Sequence, residues 1–151
     1  MAIVVTTPTG HIGSRVAERL LAAGADVVLL VRHPEKLPEE FRRRATVRQG
    51  NTDDPDFVVR ATEGADALFW LTPPTLTAPD VRAYYKKFAD AVTAALRANR
   101  LLHVVNLSSI GAQKPEGVGF ITRVGEIERA IDAVAANVLH LRGPARSSRT
   151  S

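Results

Sequence analysis

The chain has 151 residues, 45% of them hydrophobic, which is enough for one domain with a buried core. It has no cysteine, so disulfides, thiolate metal sites and cysteine nucleophiles are excluded, and a reducing, cytoplasmic location is expected. The net charge of +4 is spread over stretches of mixed sign, and no apolar run reaches the roughly 20 residues of a membrane span. Neither a nucleic acid nor a membrane is therefore a predicted partner, and the dispersed histidines predict no metal site.

The first predicted elements are a buried strand at Ile3–Val5, a tight turn, and a helix that Gly24 ends. N–H groups at the start of a helix lack carbonyl partners, so this turn is suited to a pyrophosphate. Gly10 would let the backbone approach the anion, and Gly13 would let the helix pack close to the strand. Thr7 stands where the usual fingerprint has its first glycine, and the alternative is an ordinary strand-to-helix turn without a ligand.

A second apolar run, Val27–Val31, predicts a strand that is covered on both faces, as in a parallel sheet. Arg32 follows at its tip, where an acidic residue would favour NAD and an arginine accommodates the extra phosphate of NADP. Lys36 lies one helical turn farther on, in a helix predicted over Pro34–Arg44, so these two cations are candidates to hold a 2′-phosphate. The alternative is a solvent-exposed arginine on a loop.

The middle of the chain continues this alternation of strands and helices. A short third strand is predicted at Thr46–Arg48, and a helix follows from Pro55 to Gly64 with Asp54 as its cap. Asn51 lies in the turn between them. It either meets an adenine edge or is a simple turn asparagine.

A fourth strand is predicted at Ala67–Leu71, and Thr72, Pro73 and Pro74 end it because proline cannot continue a ladder. This places a rigid loop at the edge of the sheet where ligands of open α/β sheets bind. The next predicted helix, Val81–Asn99, is amphipathic and should cover the sheet. The same helix is suited to joining a second subunit, so a homo-oligomer is one assembly that the pattern allows.

The last predicted elements are a fifth strand, a helix and a sixth strand, over Leu102–Leu107, Ile121–Ala135 and Val138–Leu141. Ser108 and Ser109 end the fifth strand, and Arg142-Gly143-Pro144 breaks the sixth. Strands and helices alternate throughout, which predicts an α/β fold: a doubly wound, Rossmann-like parallel sheet of about six strands with helices on both faces. We expect one domain over residues 1–144 and a disordered tail over 145–151.

The chain resembles the NmrA-like branch of the atypical short-chain dehydrogenase/reductases over residues 3–144. The resemblance rests on several short motifs in a fixed order, namely TPTGHIG (Thr7–Gly13), LVRHPEK (Leu30–Lys36), QGNTDDP (Gln49–Pro55), GADALFWLTPP (Gly64–Pro74), VVNLSSIGA (Val104–Ala112), GEIERAI (Gly125–Ile131) and LHLRGP (Leu139–Pro144). It implies a Rossmann domain that binds NADP(H). Members of this family usually continue into a C-terminal lobe over the nicotinamide, and the resemblance leads us to expect a nucleotide-binding half without that lobe.

The resemblance also implies which residues contact the coenzyme. His11 and Ile12 would offer amides to the pyrophosphate, Arg32 and Lys36 would hold the 2′-phosphate, and Asn51 takes the place of a common aspartate beside the adenine. Thr72 and Pro73 would line the adenosine side, and Leu107 to Ser109 would lie near the nicotinamide. The complete predicted set is Thr7, Thr9, Gly10, His11, Ile12, Gly13, Arg32, Lys36, Asn51, Thr72, Pro73, Leu107, Ser108 and Ser109.

The sequence assigns no catalytic residue. Carbonyl reduction in this superfamily uses a tyrosine beside a lysine, together with a serine, but Tyr84 and Tyr85 are the only tyrosines and both precede the fifth strand. Reduction of a quinone- or azo-like small molecule needs less acid assistance, because the charge left by hydride addition is delocalised. Three interpretations therefore stay open: an NADPH-dependent reductase of the quinone or azo type, a dinucleotide sensor without turnover, and a truncated, inactive remnant.

Overall fold

The computed structural model describes residues 1–73, 78–109, 120–135 and 137–143 of the chain, without the side chains of 108–109, 120–124 and 142–143. The predicted tail at 145–151 lies outside these residues, as do Pro74 and Pro144. The predicted loss of strand structure at Arg142 is wrong, because the sixth strand continues through Gly143, which pairs with Ser109.

Parallel strands and helices alternate along the described chain. The six strands are β1 (Ala2–Thr6), β2 (Asp26–Val31), β3 (Thr46–Gln49), β4 (Ala67–Leu71), β5 (His103–Ser109) and β6 (Val138–Gly143). The helices are α1 (His11–Ala22), α2 (Glu39–Arg44), α3 (Pro55–Ala61), α4 (Val81–Ala98) and α5 (Phe120–Asp132), with a short 3₁₀ helix at Pro34–Lys36. The sheet order is β3-β2-β1-β4-β5-β6, and every neighbouring pair is parallel. This confirms the predicted doubly wound, Rossmann-like sheet.

Each face of the sheet has its own apolar core. On one face, Val5 and Leu29 of the sheet pack with Ala17 of α1 and Phe41 of α2. On the other face, the sheet packs against α3, α4 and α5, and Trp70 is fully buried there. Successive side chains of a strand point to opposite faces, so continuous apolar runs such as Val27–Val31 are what a doubly covered strand requires.

The predicted helix over Pro34–Arg44 is split in the structure. A 3₁₀ helix spans Pro34–Lys36, Leu37 is extended, and α2 begins only at Glu39. Pro38 is the reason, because proline lacks an N–H and its ring clashes with the preceding turn of a helix. Pro38 instead precedes α2 as its N-cap residue, so Lys36 does not share a helix with Arg42.

The strands β1 and β4 part at their carboxyl ends. Their backbone pairing covers Ile3–Val5 against Ala67–Phe69 and stops there. Beyond this point a side chain replaces the backbone pairing: Thr6 Oγ1 accepts a hydrogen bond from the Leu71 N–H at 2.8 Å. The chain runs from β1 toward β2 on one side and from β4 toward β5 on the other, so the crevice of a topological switch point opens above Thr6.

Candidate functional site

The start of α1 carries no side-chain cap. Gly10 precedes the helix with φ −80° and ψ 170°, no side chain accepts a hydrogen bond there, and no acidic residue stands in the first turn. The first backbone bond of the helix runs from the Ser14 N–H to the Gly10 carbonyl at 3.0 Å, so the N–H groups of residues 11–13 precede it. Free N–H groups and the positive end of the helix dipole together favour an anion at this point.

The two glycines of this turn differ in what surrounds them. A Cβ built on Gly13 would lie 2.0 Å from the Thr7 carbonyl oxygen, so α1 and β1 can approach this closely only with glycine at this position. A Cβ built on Gly10 would lie 3.4 Å from the same oxygen, which is an ordinary contact. The protein itself therefore does not require glycine at position 10. An absent side chain there leaves room for a ligand.

Thr7, which replaces the usual first glycine, adopts the backbone conformation of a glycine. Its φ is +50°, the only positive value at a non-glycine residue in the part of the chain that the structure describes. The Thr7 hydroxyl donates to the Thr6 carbonyl at 2.7 Å, and the Thr7 carbonyl accepts from the Gly10 N–H at 3.1 Å. The turn thus keeps the geometry of a glycine-rich loop at the cost of a strained threonine.

A cavity of about 380 Å³ opens at the carboxyl ends of β1, β2 and β4, and it extends from the turn before α1 to the tip of β2. Its lining comes from the turn after β1, the end of β2, the turn after β3, the end of β4 and the first half of α4. These residues are Thr7, Pro8, Thr9, Gly10, Leu30, Val31, Arg32, Gly50, Asn51, Thr52, Asp53, Pro73, Tyr84 and Phe88.

The described lining of the cavity carries one cationic and one anionic side chain, Arg32 and Asp53. Arg32, directly after β2, is exposed and makes no side-chain hydrogen bond or ion pair with any described residue. Asp53 is half-buried in the turn after β3, on another part of the lining. A guanidinium without an internal partner is suited to a phosphate, which accepts two parallel hydrogen bonds from it.

Tyr84 of α4 also lines this cavity, and its hydroxyl donates to the Pro73 carbonyl at 2.8 Å. Burial raises the pKa of the Tyr84 phenol, and the neighbouring Tyr85 and Asp53 raise this pKa further, while Arg32 lowers it. The phenol therefore stays protonated near neutral pH and keeps the proton that it donates to Pro73.

Comparison with known proteins agrees with this geometry. The sequence profile of a family described as NAD(P)H-binding matches residues 8–142, which is most of the chain. The chain belongs to this NAD(P)H-binding family. This match confirms what the resemblance to NmrA-like, atypical short-chain dehydrogenase/reductases implies about the domain. The chain is an NAD(P)H-binding domain of Rossmann type.

One curated relative is the (4-alkanoyl-5-oxo-2,5-dihydrofuran-3-yl)methyl phosphate reductase of Streptomyces griseus subsp. griseus. It is 37% identical over 121 residues, which are 80% of this chain and 39% of the relative. The chain thus spans about two fifths of the length of the curated relative that it matches.

Two solved structures have the same fold. The triphenylmethane reductase of Citrobacter sp. has a TM-score of 0.80 at 24% identity, over 94% of this chain and 48% of that one. An NADPH-dependent quinone oxidoreductase of Escherichia coli, complexed with NADPH, has a TM-score of 0.73 at 21% identity, also over 94% of this chain and 48% of that one. This chain therefore corresponds to about half of each of these proteins.

Within the family fold, part of the predicted coenzyme site lies together in the cavity. The predicted residues that line it are Thr7, Thr9, Gly10, Arg32, Asn51 and Pro73. Asn51 is exposed, and its backbone carbonyl accepts from the Asp54 N–H at 3.1 Å. The turn reading and the adenine reading of Asn51 are thus compatible, because the backbone forms the turn while the side chain borders the cavity.

Other predicted residues do not line the cavity. His11, Ile12 and Gly13 lie in the first turn of α1, beside it, and their predicted contribution is the backbone N–H. Lys36 is exposed at the end of the 3₁₀ helix. The Thr72 hydroxyl accepts a hydrogen bond from the indole N–H of Trp70 at 2.9 Å. This bond ties the loop after β4 to the core.

The predicted nicotinamide side lies farther along the same edge. Leu107 is half-buried in β5, opposite Leu71 of β4 and Leu141 of β6. Ser108 and Ser109 belong to β5, but their side chains lie outside the described part of the structure.

Sequence reasoning missed several residues of the cavity, above all Tyr84, Phe88 and Asp53. Tyr84 and Phe88 lie one helical turn apart on α4, the helix that the sequence predicts only to cover the sheet. The one feature of the sequence that could have indicated them is the place of this helix directly after β4. A helix that follows a strand at a switch point begins beside the crevice, so its first residues can line a ligand site. Among the described residues no group of three or more His, Asp or Glu side chains could hold a metal, and no helix is long and apolar enough to cross a membrane.

Proposed function

We propose that this chain is the NADP(H)-binding half of a reductase that transfers hydride to a conjugated, quinone- or azo-like acceptor. The observation that carries the proposal is one cavity that joins the uncapped start of α1 to the unpaired guanidinium of Arg32. Two anion-binding features that border one cavity, but come from different strand ends, fit a coenzyme that carries a diphosphate and a separate 2′-phosphate.

The residues present fit this coenzyme. The N–H groups of the first turn of α1 would hold the diphosphate, and Gly10 gives them an unobstructed approach. Arg32 would hold the 2′-phosphate, with Lys36 as a second cation on the same side. Asn51 and Pro73 would border the adenosine between these two points. The side chains of His11 and Ile12 would not be needed, because the backbone makes the contact.

The bound coenzyme would supply a hydride at its nicotinamide ring. This chain would hold the diphosphate and the adenosine end of the coenzyme. Those contacts would orient the nicotinamide ring beyond the carboxyl ends of β4 and β5. Leu107 of β5 would lie on this side, with Ser108 and Ser109 after it.

The acceptor class is supported by the relatives. Their names give a quinone, a triphenylmethane dye and a dihydrofuranone phosphate as substrates of those proteins. Each of these acceptors is conjugated, so hydride addition does not leave a localised alkoxide. The dye cation becomes neutral, whereas the quinone or the furanone becomes a delocalised anion, and neither case needs a strong acid from the protein. This matches a chain whose two tyrosines both lie on α4, with Tyr84 already donating to Pro73.

The same tyrosine positions favour a second candidate, a sensor that binds the dinucleotide without turnover. The described site has no tyrosine beside a lysine at the end of β5, because both tyrosines of the chain lie on α4. Oxidation of NADPH with a quinone acceptor separates the two candidates. Turnover above a protein-free control supports the reductase, whereas saturable binding with no turnover supports the sensor.

Calorimetric titration with NADPH and NADH tests the coenzyme assignment directly. We expect wild-type protein to bind NADPH more tightly than NADH. Arg32→Ala should weaken NADPH about tenfold or more, with little effect on NADH, because a charge-assisted hydrogen bond contributes about 1.5–3 kcal/mol. Arg97→Ala is the matched control, since Arg97 is exposed in the last turn of α4 and should change neither affinity. Equal loss of NADPH and NADH in Arg32→Ala would contradict the 2′-phosphate contact.

A further inference from the structure

Tyr84 connects two elements of the cavity that come from different parts of the chain. It lies in the second turn of α4, and its hydroxyl donates to the carbonyl of Pro73, in the loop that follows β4. Both residues line the cavity, and the hydrogen bond between them is 2.8 Å long. The bond therefore joins the helix that covers the sheet to the loop at the carboxyl edge.

The ring of Tyr84 is held in place by two aromatic neighbours. Its centroid lies 5.1 Å from that of Tyr85 in an edge-to-face arrangement and 5.0 Å from that of Phe88. Tyr85 and Phe88 are themselves buried, at 2% and 5% exposure, so they fix the plane of the Tyr84 ring. A hydroxyl on a ring held in this way is aimed at one acceptor.

The loop that receives this bond is fixed from a second side. The Trp70 indole N–H donates to the Thr72 hydroxyl at 2.9 Å, and Trp70 is fully buried in the core below. Pro73 has a fixed φ and no N–H of its own. Its carbonyl is therefore the group through which α4 can set the position of the loop.

We propose that Tyr84 is a positioning residue for the adenosine part of the coenzyme, acting through Pro73. The inference rests on the proposed function, because it assumes that this cavity holds the adenosine end. Tyr84 holds the loop after β4 at the distance from Asn51 and Arg32 that the bound nucleoside needs. Without the hydroxyl, the loop would keep the Trp70 contact but lose the constraint from α4.

The test compares Tyr84→Phe with wild type for three ligands: NADPH, adenosine 2′,5′-bisphosphate and reduced nicotinamide mononucleotide. Tyr84→Phe keeps the ring and its aromatic neighbours and removes only the hydrogen bond to Pro73. We expect NADPH and the bisphosphate to bind about 3- to 10-fold more weakly, because the released loop must be ordered when the ligand binds, at a cost of up to about one net hydrogen bond. Binding of the mononucleotide should stay within about twofold of wild type, because it makes no adenosine contact.

Thr93→Val is the matched control. Thr93 lies on the same helix, and its hydroxyl donates to the Ala89 carbonyl at 2.8 Å, but it does not line the cavity. Both variants lose one hydroxyl from α4, so melting temperatures of the ligand-free proteins show how much each one destabilises the fold. A purely structural role of Tyr84 would weaken all three ligands in proportion to its fall in melting temperature.

The outcomes separate the two proposals. If wild type binds NADPH and Tyr84→Phe binds NADPH and the bisphosphate equally well, the positioning role is wrong and the coenzyme assignment stands. If wild type binds neither NADPH nor the bisphosphate, the coenzyme assignment is wrong, and the role of Tyr84 is overturned with it.

Discussion

The helices α1 and α3 both begin at the carboxyl edge of the sheet, but they begin in different ways. At α3, Asp54 caps the helix by accepting from the Asp56 N–H at 3.1 Å, and Pro55 fills the first helical position. At α1, Gly10 offers no side chain, and the first turn contains no acidic residue. The protein thus closes one helix start with its own carboxylate and leaves the other one open.

This difference shows how one structural element serves two purposes. A helix start always presents N–H groups that need an acceptor. An aspartate supplies that acceptor internally and stabilises the fold, whereas a bare glycine leaves the acceptor to a ligand. The open start lies at the switch point of the sheet, beside the cavity, which is where an external anion can reach it.

Gly13→Ala should have the largest effect of any change at the open helix start. Its methyl group would lie 2.0 Å from the Thr7 carbonyl oxygen, so α1 must move away from β1. We expect a loss of about 3 kcal/mol or more in unfolding free energy, a fall of roughly 6–12 °C in melting temperature, and loss of NADPH binding. Gly10→Ala is the control, because its methyl group would make only an ordinary 3.4 Å contact. Equal melting temperatures for these two variants would contradict the packing role of Gly13.

Gly10→Asp makes the start of α1 resemble that of α3. The φ and ψ of Gly10 suit an N-cap residue, so the new carboxylate should accept from the first-turn N–H groups and leave stability equal or slightly higher. NADPH should bind about 100-fold more weakly, because the carboxylate repels the diphosphate and occupies its donors. Gly10→Asn caps without charge, so titration should show a smaller loss for it. Unchanged NADPH affinity in Gly10→Asp would place the diphosphate elsewhere.

Asp54→Ala tests the closed helix start. Removal of the cap should cost about 1 kcal/mol, or roughly 2–4 °C in melting temperature, because the Asp56 N–H loses its acceptor. NADPH affinity should change by less than about twofold, since Asp54 does not line the cavity. Asp54→Ser retains a capping oxygen and should melt close to wild type. A large loss of NADPH affinity in Asp54→Ala would mean that both helix starts take part in binding.

The sequence predicts the fold and the open helix start well, because both depend on local pattern. Apolar runs between turn residues mark the strands, and Asp54 before Pro55 marks a cap. Gly24, which is predicted to end the first helix, has a φ of +80° just after it. The predicted extent of the helix over Pro34–Arg44 is wrong because Pro38 interrupts it.

The α4 side of the cavity could not be predicted in the same way. Tyr84 and Phe88 meet Pro73 and the turn after β3 only because α4 packs across the sheet at a particular angle. Helical periodicity identifies a buried stripe, but it does not show whether the stripe meets a core or a cavity. All the predicted coenzyme contacts stay predictions, including those of the residues that line the cavity, because each of them is a contact with a ligand.

Thr7→Gly should have the smallest effect, and it tests whether the open helix start carries strain. Thr7 has a φ of +50°, which costs a non-glycine residue about 1–2 kcal/mol. Glycine relieves this strain, but it adds about 0.5–1 kcal/mol of unfolded-state entropy and loses the Thr7–Thr6 hydrogen bond, so the net change in unfolding free energy should lie within about 0.5 kcal/mol of zero. Thr7→Ala is the control, because alanine also loses that hydrogen bond but keeps the strained φ. It should unfold at a lower denaturant concentration than Thr7→Gly, and both should bind NADPH within about twofold of wild type, because the backbone makes the contact. A Thr7→Ala variant that unfolds at a higher denaturant concentration than Thr7→Gly would show that the positive φ is not strained, because only the entropic cost of glycine would then separate the two variants.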